Sequence, residues 1–177
     1  MEVREATADD HAAIDALALE AWQVLKPGYD PQAWDNLLTS VGRMSSLATE
    51  GRLLVATTSE QVAGAVGYMP PGRSNPKIFP VEWPSIRMLV VRPSCRRRGM
   101  GKALMHACIQ QALKDGARCI GLHTSPIMEV ALPMYLRMGF IKDAELPPIA
   151  GAPYARYVLA LGAPLVPVEG ANVPIGQ

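Results

Sequence analysis

Between the apolar run Ile86-Arg87-Met88-Leu89-Val90-Val91 and a segment with helical spacing from about Met100 to Lys114 lies a basic, glycine-containing stretch, Arg92-Pro93-Ser94-Cys95-Arg96-Arg97-Arg98-Gly99-Met100-Gly101-Lys102. Its residue types suit an anion. The first turn of a helix leaves backbone N–H groups without partners and carries the positive end of the helix dipole, so phosphate oxygens are favoured there. Gly99 and Gly101 let the backbone approach without a Cβ in the way, and Arg96, Arg97, Arg98 and Lys102 add charge. A P-loop would need glycine in place of Arg96 and Ser or Thr in place of Ala103, and a dinucleotide fingerprint would need a third glycine in place of Leu104. Neither pattern is met.

The remaining pattern, Arg96-x-x-Gly99-x-Gly101 after a strand ending in Val-x-Pro, resembles the acyl-CoA pyrophosphate loop of the GNAT superfamily of N-acetyltransferases. Ala131-x-x-Met134-Tyr135-x-x-x-Gly139-Phe140 resembles the second signature of that family, and stands in the expected order. As specific motifs the likeness covers Ile86 to Gly101 and Ala131 to Phe140; as an order of elements it covers residues 2 to 161.

The resemblance implies transfer of an acetyl group from acetyl-CoA, as cosubstrate, to a primary amine of a small molecule or a protein, by direct attack on the thioester and without a metal. By position it implies that Leu89, Val90 and Val91 run along the pantetheine arm, with the N–H of Leu89 facing the developing oxyanion. The loop residues Arg96, Arg97, Arg98, Gly99, Met100, Gly101 and Lys102 would then hold the pyrophosphate. Tyr135 stands where the family places a general acid for the departing thiolate; the alternative is a helix tyrosine packed on the sheet. Pro133, two residues earlier, is expected to kink that helix.

An alkylammonium with a pKa near 10.4 is no nucleophile, so the amine must lose a proton. The family's usual glutamate position is occupied by Ser85, which leaves Glu82 as a base acting through water, as a plain surface carboxylate, or a reaction with no dedicated base. Acceptor recognition is expected around Trp22, Tyr29, Asp30, Trp34, Glu82 and Trp83. Aromatic walls with carboxylates suit a cationic amine, while ordinary core packing accounts equally for Trp22 and Trp34. Two other function classes remain: an acyl-CoA sensor, which would keep the loop without needing Tyr135, and a nucleic-acid module built on the arginines.

Composition narrows these. The chain has 177 residues, 49% hydrophobic and 19% charged, with 17 basic against 16 acidic side chains and a net charge of +1. That length predicts one globular domain burying roughly 70% of its unfolded surface without disulfides or metal. The near-zero charge lacks the footprint of a nucleic-acid-binding domain. No apolar run approaches the roughly 20 residues of a membrane span, and Met1-Glu2-Val3-Arg4-Glu5 lacks the basic-then-apolar order of a signal peptide. A cytoplasmic protein with no membrane partner is expected. Cys95, Cys108 and Cys119 form no C-x-x-C pair and are read as reduced thiols. His11, His106 and His123 show no metal-ligand spacing and are read as surface or satisfied core residues.

The elements that must position these groups follow from periodicity and punctuation. A short strand at Val3–Ala6, a helix from about Asp10 to Val24 with Ile14, Leu17, Ala18 and Ala21 inward, a loop at Lys26–Pro31 and a second helix from Gln32 to Ala48 are expected. A hairpin at Leu53–Thr58 and Val62–Met69 and an irregular proline-rich connection precede the Ile86–Val91 strand. After the Met100–Lys114 helix come a strand at Ala117–His123 parallel to its predecessor, a helix from Pro126 to Met138, and strands at Phe140–Leu146 and Tyr154–Leu161 around a Pro-Pro-Ile-Ala-Gly-Ala-Pro loop. Together they predict an α/β domain, with a GNAT-like mixed sheet of about seven strands flanked by about four helices. Residues 162–177 read as a glycine- and proline-punctuated tail that, with Tyr157-Val158-Leu159, offers a possible homodimer contact.

Overall fold

The computed structural model describes residues 1–59 and 61–162. Seven strands form one sheet in the order β1-β2-β3-β4-β5-β7-β6: β1 (Glu2–Glu5), β2 (Arg52–Thr58), β3 (Gln61–Met69), β4 (Ser85–Val91), β5 (Cys119–Thr124), β6 (Ile141–Ile149) and β7 (Ala152–Ala160). Every neighbouring pair is antiparallel except β4 and β5, which a helical crossover makes parallel. That crossover is α4 (Met100–Lys114), with the bounds expected from its spacing. Leu104, Met105, Cys108 and Ala112 form its buried stripe, and each fully buried large apolar side chain contributes roughly 1.5–3 kcal/mol.

Helices cover both faces, so β2 and β3 are buried along nearly their whole length. One face packs against α4 and α5 (Ala131–Arg137), in a core that includes Ile86, Leu104, Leu122, Tyr135 and Phe140. The other packs against α1 (His11–Trp22), α2 (Pro31–Val41) and α3 (Leu47–Glu50), with Ile14, Leu17, Val55, Ala65 and Val90 at its centre. Residues 163–177, most of the expected tail, lie outside the described residues.

Three expectations are corrected. The single helix expected from Gln32 to Ala48 is two helices separated at Gly42, where a Cβ would meet Leu19 Cδ2 at 3.1 Å. The helix expected from Pro126 begins at Ala131, which puts Pro133 in the first turn, where no intrahelical N–H donor is needed and no kink follows. The Pro147-Pro148 segment is not loop but part of β6, whose register shifts between Leu146 and Ile149. β6 lies at the edge of the sheet, where prolines that cannot donate are tolerated at a bulge. β7, carrying Tyr157-Val158-Leu159, is an interior strand with partners on both edges.

Candidate active site

The first residues of β4 join the middle of β5. Ser85 faces Gly121 and Ile86 faces Leu122, and there the pairing ends. Beyond it, Arg87 to Val91 have no strand partner on the β5 side, and a cleft of about 1150 Å³ occupies the split. On its other edge β4 stays paired with β3, but two residues, Met88 and Leu89, oppose the single Val66. Met88 takes up the extra length in the left-handed region at φ 57°. Such a bulge redirects the strand locally, here at the point where the resemblance places the oxyanion donor.

The cleft continues to the start of α4. Gly99 caps that helix with φ 80°, and Arg97 is also left-handed at φ 62°. Alternation of backbone handedness with a helix start turns successive N–H groups toward one point, the geometry of an anion nest. A Cβ on Gly99 would meet nothing within 4 Å, so glycine is needed there for its conformation. At Gly101 the φ is ordinary and a Cβ would touch Met134 Sδ at 3.5 Å, an ordinary contact, so that position matters for the space it leaves at the helix start. Leu89, Val90, Val91, Arg96, Arg97, Gly99, Met100, Gly101 and Lys102 all line the cleft. Arg98 does not; it is exposed. Arg96 folds back, with Nε 3.4 Å from Val91 O and a terminal nitrogen 3.4 Å from Ala21 O, and so ties the loop to β4 and α1.

Tyr135 reaches the same cleft from α5. It is buried, with its ring edge-on to Phe140 at 6.0 Å between centroids. Burial first, and the nearby Cys108 second, push its phenol far above the ordinary tyrosine range. The hydroxyl therefore keeps its proton throughout the physiological range, as a donor must.

Glu82 is not brought to the site. It is exposed, it does not line the cleft, and it lies before β4 at the end of the sheet opposite the split. Its nearest electrostatic consequence is at Cys119, at the start of β5, whose thiol is raised by burial and then by the charges of Glu82 and Asp143. Ser85, at the family's glutamate position, is buried with its Oγ 2.8 Å from Ser74 Oγ.

The acceptor residues expected from sequence divide. Trp22 lines the cleft. Tyr29 and Trp34 are buried behind it in a small core with Ala152 and Tyr154, Tyr29 stacked on Trp22 at 5.9 Å. Asp30 accepts a hydrogen bond from the N–H of Gln32 at 2.8 Å and caps α2, and Trp83 lies under the Arg156 guanidinium at 5.3 Å. Glu129 is the one carboxylate among the described residues lining the cleft.

His123 is neither the surface nor the satisfied core residue that the sequence leads one to expect. It is the first residue of β5 past the last pair with β4, it lines the cleft, and its buried Nδ1 has no hydrogen-bond partner. Phe79 and Tyr154 enclose the ring at 6.1 and 5.7 Å between centroids. Burial, helped by the charge of Arg87, lowers its pKa from 6.5 to about 4. No local signal marks this residue, because its neighbours come from a loop and a strand far away in the chain.

Among the described residues no group of three or more His, Cys, Asp or Glu could hold a metal, and no helix is long and apolar enough to cross a membrane. The three cysteines are free thiols.

Comparison with known proteins places this geometry. The family model for the acetyltransferase (GNAT) family matches residues 11–140. N-acetyltransferase 8F1 of Rattus norvegicus is 31% identical over 106 residues, covering 57% of this chain and 44% of that protein. N-acetyltransferase 8B of the same animal is 33% identical over 96 residues, covering 51% and 40%. The matched part spans less than half the length of these curated relatives. A GCN5-related N-acetyltransferase from Rhodopseudomonas palustris superposes with a TM-score of 0.71 at 18% identity, over 90% of this chain and 95% of that one. A GNAT family acetyltransferase from Brucella melitensis, solved in complex with acetyl-CoA, gives 0.59 at 21% identity, over 93% and 90%. At these identities the solved structures speak for the fold. The family model, whose match runs from α1 through the split strands, the glycine loop and Tyr135 to Phe140, shows that the chain belongs to the acetyltransferase (GNAT) family.

Proposed function

We propose that this protein transfers the acetyl group of acetyl-CoA to a primary amine. The observation that carries the reading is the continuity of one cleft from the β4–β5 split, past the bulge at Met88, to the left-handed Gly99 at the start of α4. The split offers an unpartnered strand edge against which an extended amide-bearing arm can lie. The glycine loop offers N–H groups and cationic side chains to a pyrophosphate. Both demands are met by acetyl-CoA, and structural neighbours from Brucella melitensis and Salmonella typhimurium were solved with that molecule.

In the reaction the amine nitrogen bonds to the thioester carbon, the carbon–sulfur bond breaks, one proton leaves nitrogen and one reaches sulfur. Leu89 supplies a backbone N–H beside the bulge for the oxygen on which negative charge develops, a contribution worth about 3–4 kcal/mol when such a donor is well placed. Tyr135 supplies an O–H to the departing sulfur. Because burial keeps that phenol neutral, the donor is present at every working pH. Glu82 has no part in this scheme.

The reading is tested by following free thiol released from acetyl-CoA in the presence of a panel of primary amines. Saturable, protein-dependent release with one or more amines is expected, together with the N-acetyl product by mass spectrometry. Binding of acetyl-CoA without release across a broad panel of small and peptide amines would make the protein a sensor.

A further inference from the structure

We infer that His123 is the catalytic residue that takes the proton from the attacking amine, a role that rests on the acetyltransferase reading above. Geometry is the first reason. The last pair between the parallel strands is Ile86 with Leu122, so His123 stands at the mouth of the split, where a thioester laid along β4 would end. Side chains alternate along a strand. Leu122 belongs to the core on the α4 and α5 side, whereas His123 packs on Phe79 and Tyr154, on the face covered by α1 and α2. An amine entering from that face meets the imidazole before it meets the thioester.

The second reason is that one buried ring nitrogen has no partner within the described residues. Buried polar atoms are nearly always paired, and each exception calls for an explanation. Nδ1 of His123 is the one buried side-chain nitrogen or oxygen without a partner among the described residues. A structural histidine would have its tautomer pinned by a carbonyl or carboxylate. This ring is instead held by aromatic contacts, and its other nitrogen, Nε2, which is neither buried nor bonded within the described residues, is the one that can meet what enters the cleft.

The third reason is charge. The groups facing the ring are Arg87 from β4, Tyr154 and Arg156 from β7, and the apolar Phe79 from the loop before β4. Arg156 is occupied by Asp143 and by the carbonyl of Ile78, and Tyr154 is bonded to Tyr29 at 2.5 Å between hydroxyl oxygens. No carboxylate is among them. The imidazole thus stays neutral and keeps a lone pair, and the same surroundings disfavour an ammonium. The amine's lone pair forms the bond to carbon, the carbon–sulfur bond breaks, the proton of the now cationic nitrogen passes to the imidazole, and Tyr135 protonates the sulfur. Solvent afterwards removes the imidazole's proton and restores that of the tyrosine.

The test uses the full chain with hydroxylamine, a nucleophile small enough for any acceptor space and largely neutral at pH 7. Enzyme-dependent transfer from acetyl-CoA is compared for the parent, His123→Ala and His123→Asn, with thermal stabilisation by acetyl-CoA reporting folding and cofactor binding separately. We expect both variants to bind acetyl-CoA as the parent does and to lose turnover by about 100-fold or more. Added imidazole should restore turnover in His123→Ala and leave the parent unchanged, a response that a packing role would not give. Turnover of His123→Asn near the parental rate, or loss without imidazole rescue, would overturn the assignment and leave the acetyltransferase reading standing. A parent that binds acetyl-CoA yet does not acetylate hydroxylamine would overturn it too. A parent that acetyl-CoA fails to stabilise would remove the functional reading itself.

Discussion

Tyr135 and His123 look into the same cleft from opposite faces of the sheet, one from α5 and one from β5, on either side of the gap between β4 and β5. In the proposed reaction the leaving sulfur and the entering nitrogen lie on different sides of that gap, with Tyr135 on one side and His123 on the other. Replacing Tyr135 by Phe removes only the O–H and keeps the ring on Phe140. We expect turnover to fall by about 100-fold, at the low end of general acid effects, with acetyl-CoA affinity unchanged. Steady-state kinetics beside a calorimetric titration would show this, and parental turnover would take Tyr135 out of the chemistry.

Acid stability should fall in two stages. His123 binds its proton in the unfolded chain near pH 6.5 but in the fold only near pH 4. Between those values the unfolded state holds more protons, so stability is full above pH 6.5 and declines as pH falls to about 4, by at most about 3 kcal/mol. Asp10 behaves as a depressed carboxylate: two hydrogen bonds from Arg4, at 2.7 and 2.9 Å, hold its pKa far below the ordinary 3.8. Its contribution is complete above that value and is lost at lower pH. Thermal midpoints recorded from pH 7 to 3 should show the first stage and the onset of the second, and His123→Phe should flatten only the first. An unchanged profile for that variant would contradict the buried, neutral histidine.

Acceptor choice should follow the cleft wall. Trp22, Leu25, Ile127, Met128, Ile149 and Tyr154 line it, against one carboxylate among the described residues, that of Glu129. Burying a phenyl group against such a wall is worth roughly 2 kcal/mol. An arylalkyl monoamine such as 2-phenylethylamine should exceed spermidine in kcat/KM by more than about tenfold, in a direct comparison of thiol release. The reverse order would place acceptor recognition elsewhere.

Much of this architecture is legible from local chemistry. The α4 helix shows its apolar stripe and its glycine-bearing start, so its bounds and its anion-facing end can be read together. Tyr135 is recognisable only through the resemblance of Ala131-x-x-Met134-Tyr135-x-x-x-Gly139-Phe140 to the family's second signature. What escapes is set by contacts far apart in the chain. Gly42, where α2 ends, lies so close to Leu19 of α1 that a Cβ would come within 3.1 Å of it. Pro147 and Pro148 remain in a strand because β6 is at the sheet edge. Glu82 looks close to the chemistry along the chain, yet it stands at the wrong end of two parallel strands that open only at the other. His123 becomes visible once the pairing of β4 with β5 is known to stop at Leu122.

The central claim is that the cleft from the β4–β5 split to Gly99 holds acetyl-CoA, and thermal unfolding of the parent and of Gly101→Val across an acetyl-CoA titration tests it most directly. A Cβ at this position makes only ordinary contacts, with Met134 Sδ at 3.5 Å and with Val91 Cγ2 at 3.7 Å, so the variant should fold. A ligand at 100 times its Kd stabilises by about 2.7 kcal/mol, a rise of about 5–10 °C for a domain of this size. We predict that rise for the parent and little or none for Gly101→Val. A folded parent whose midpoint does not move at millimolar acetyl-CoA would contradict the account.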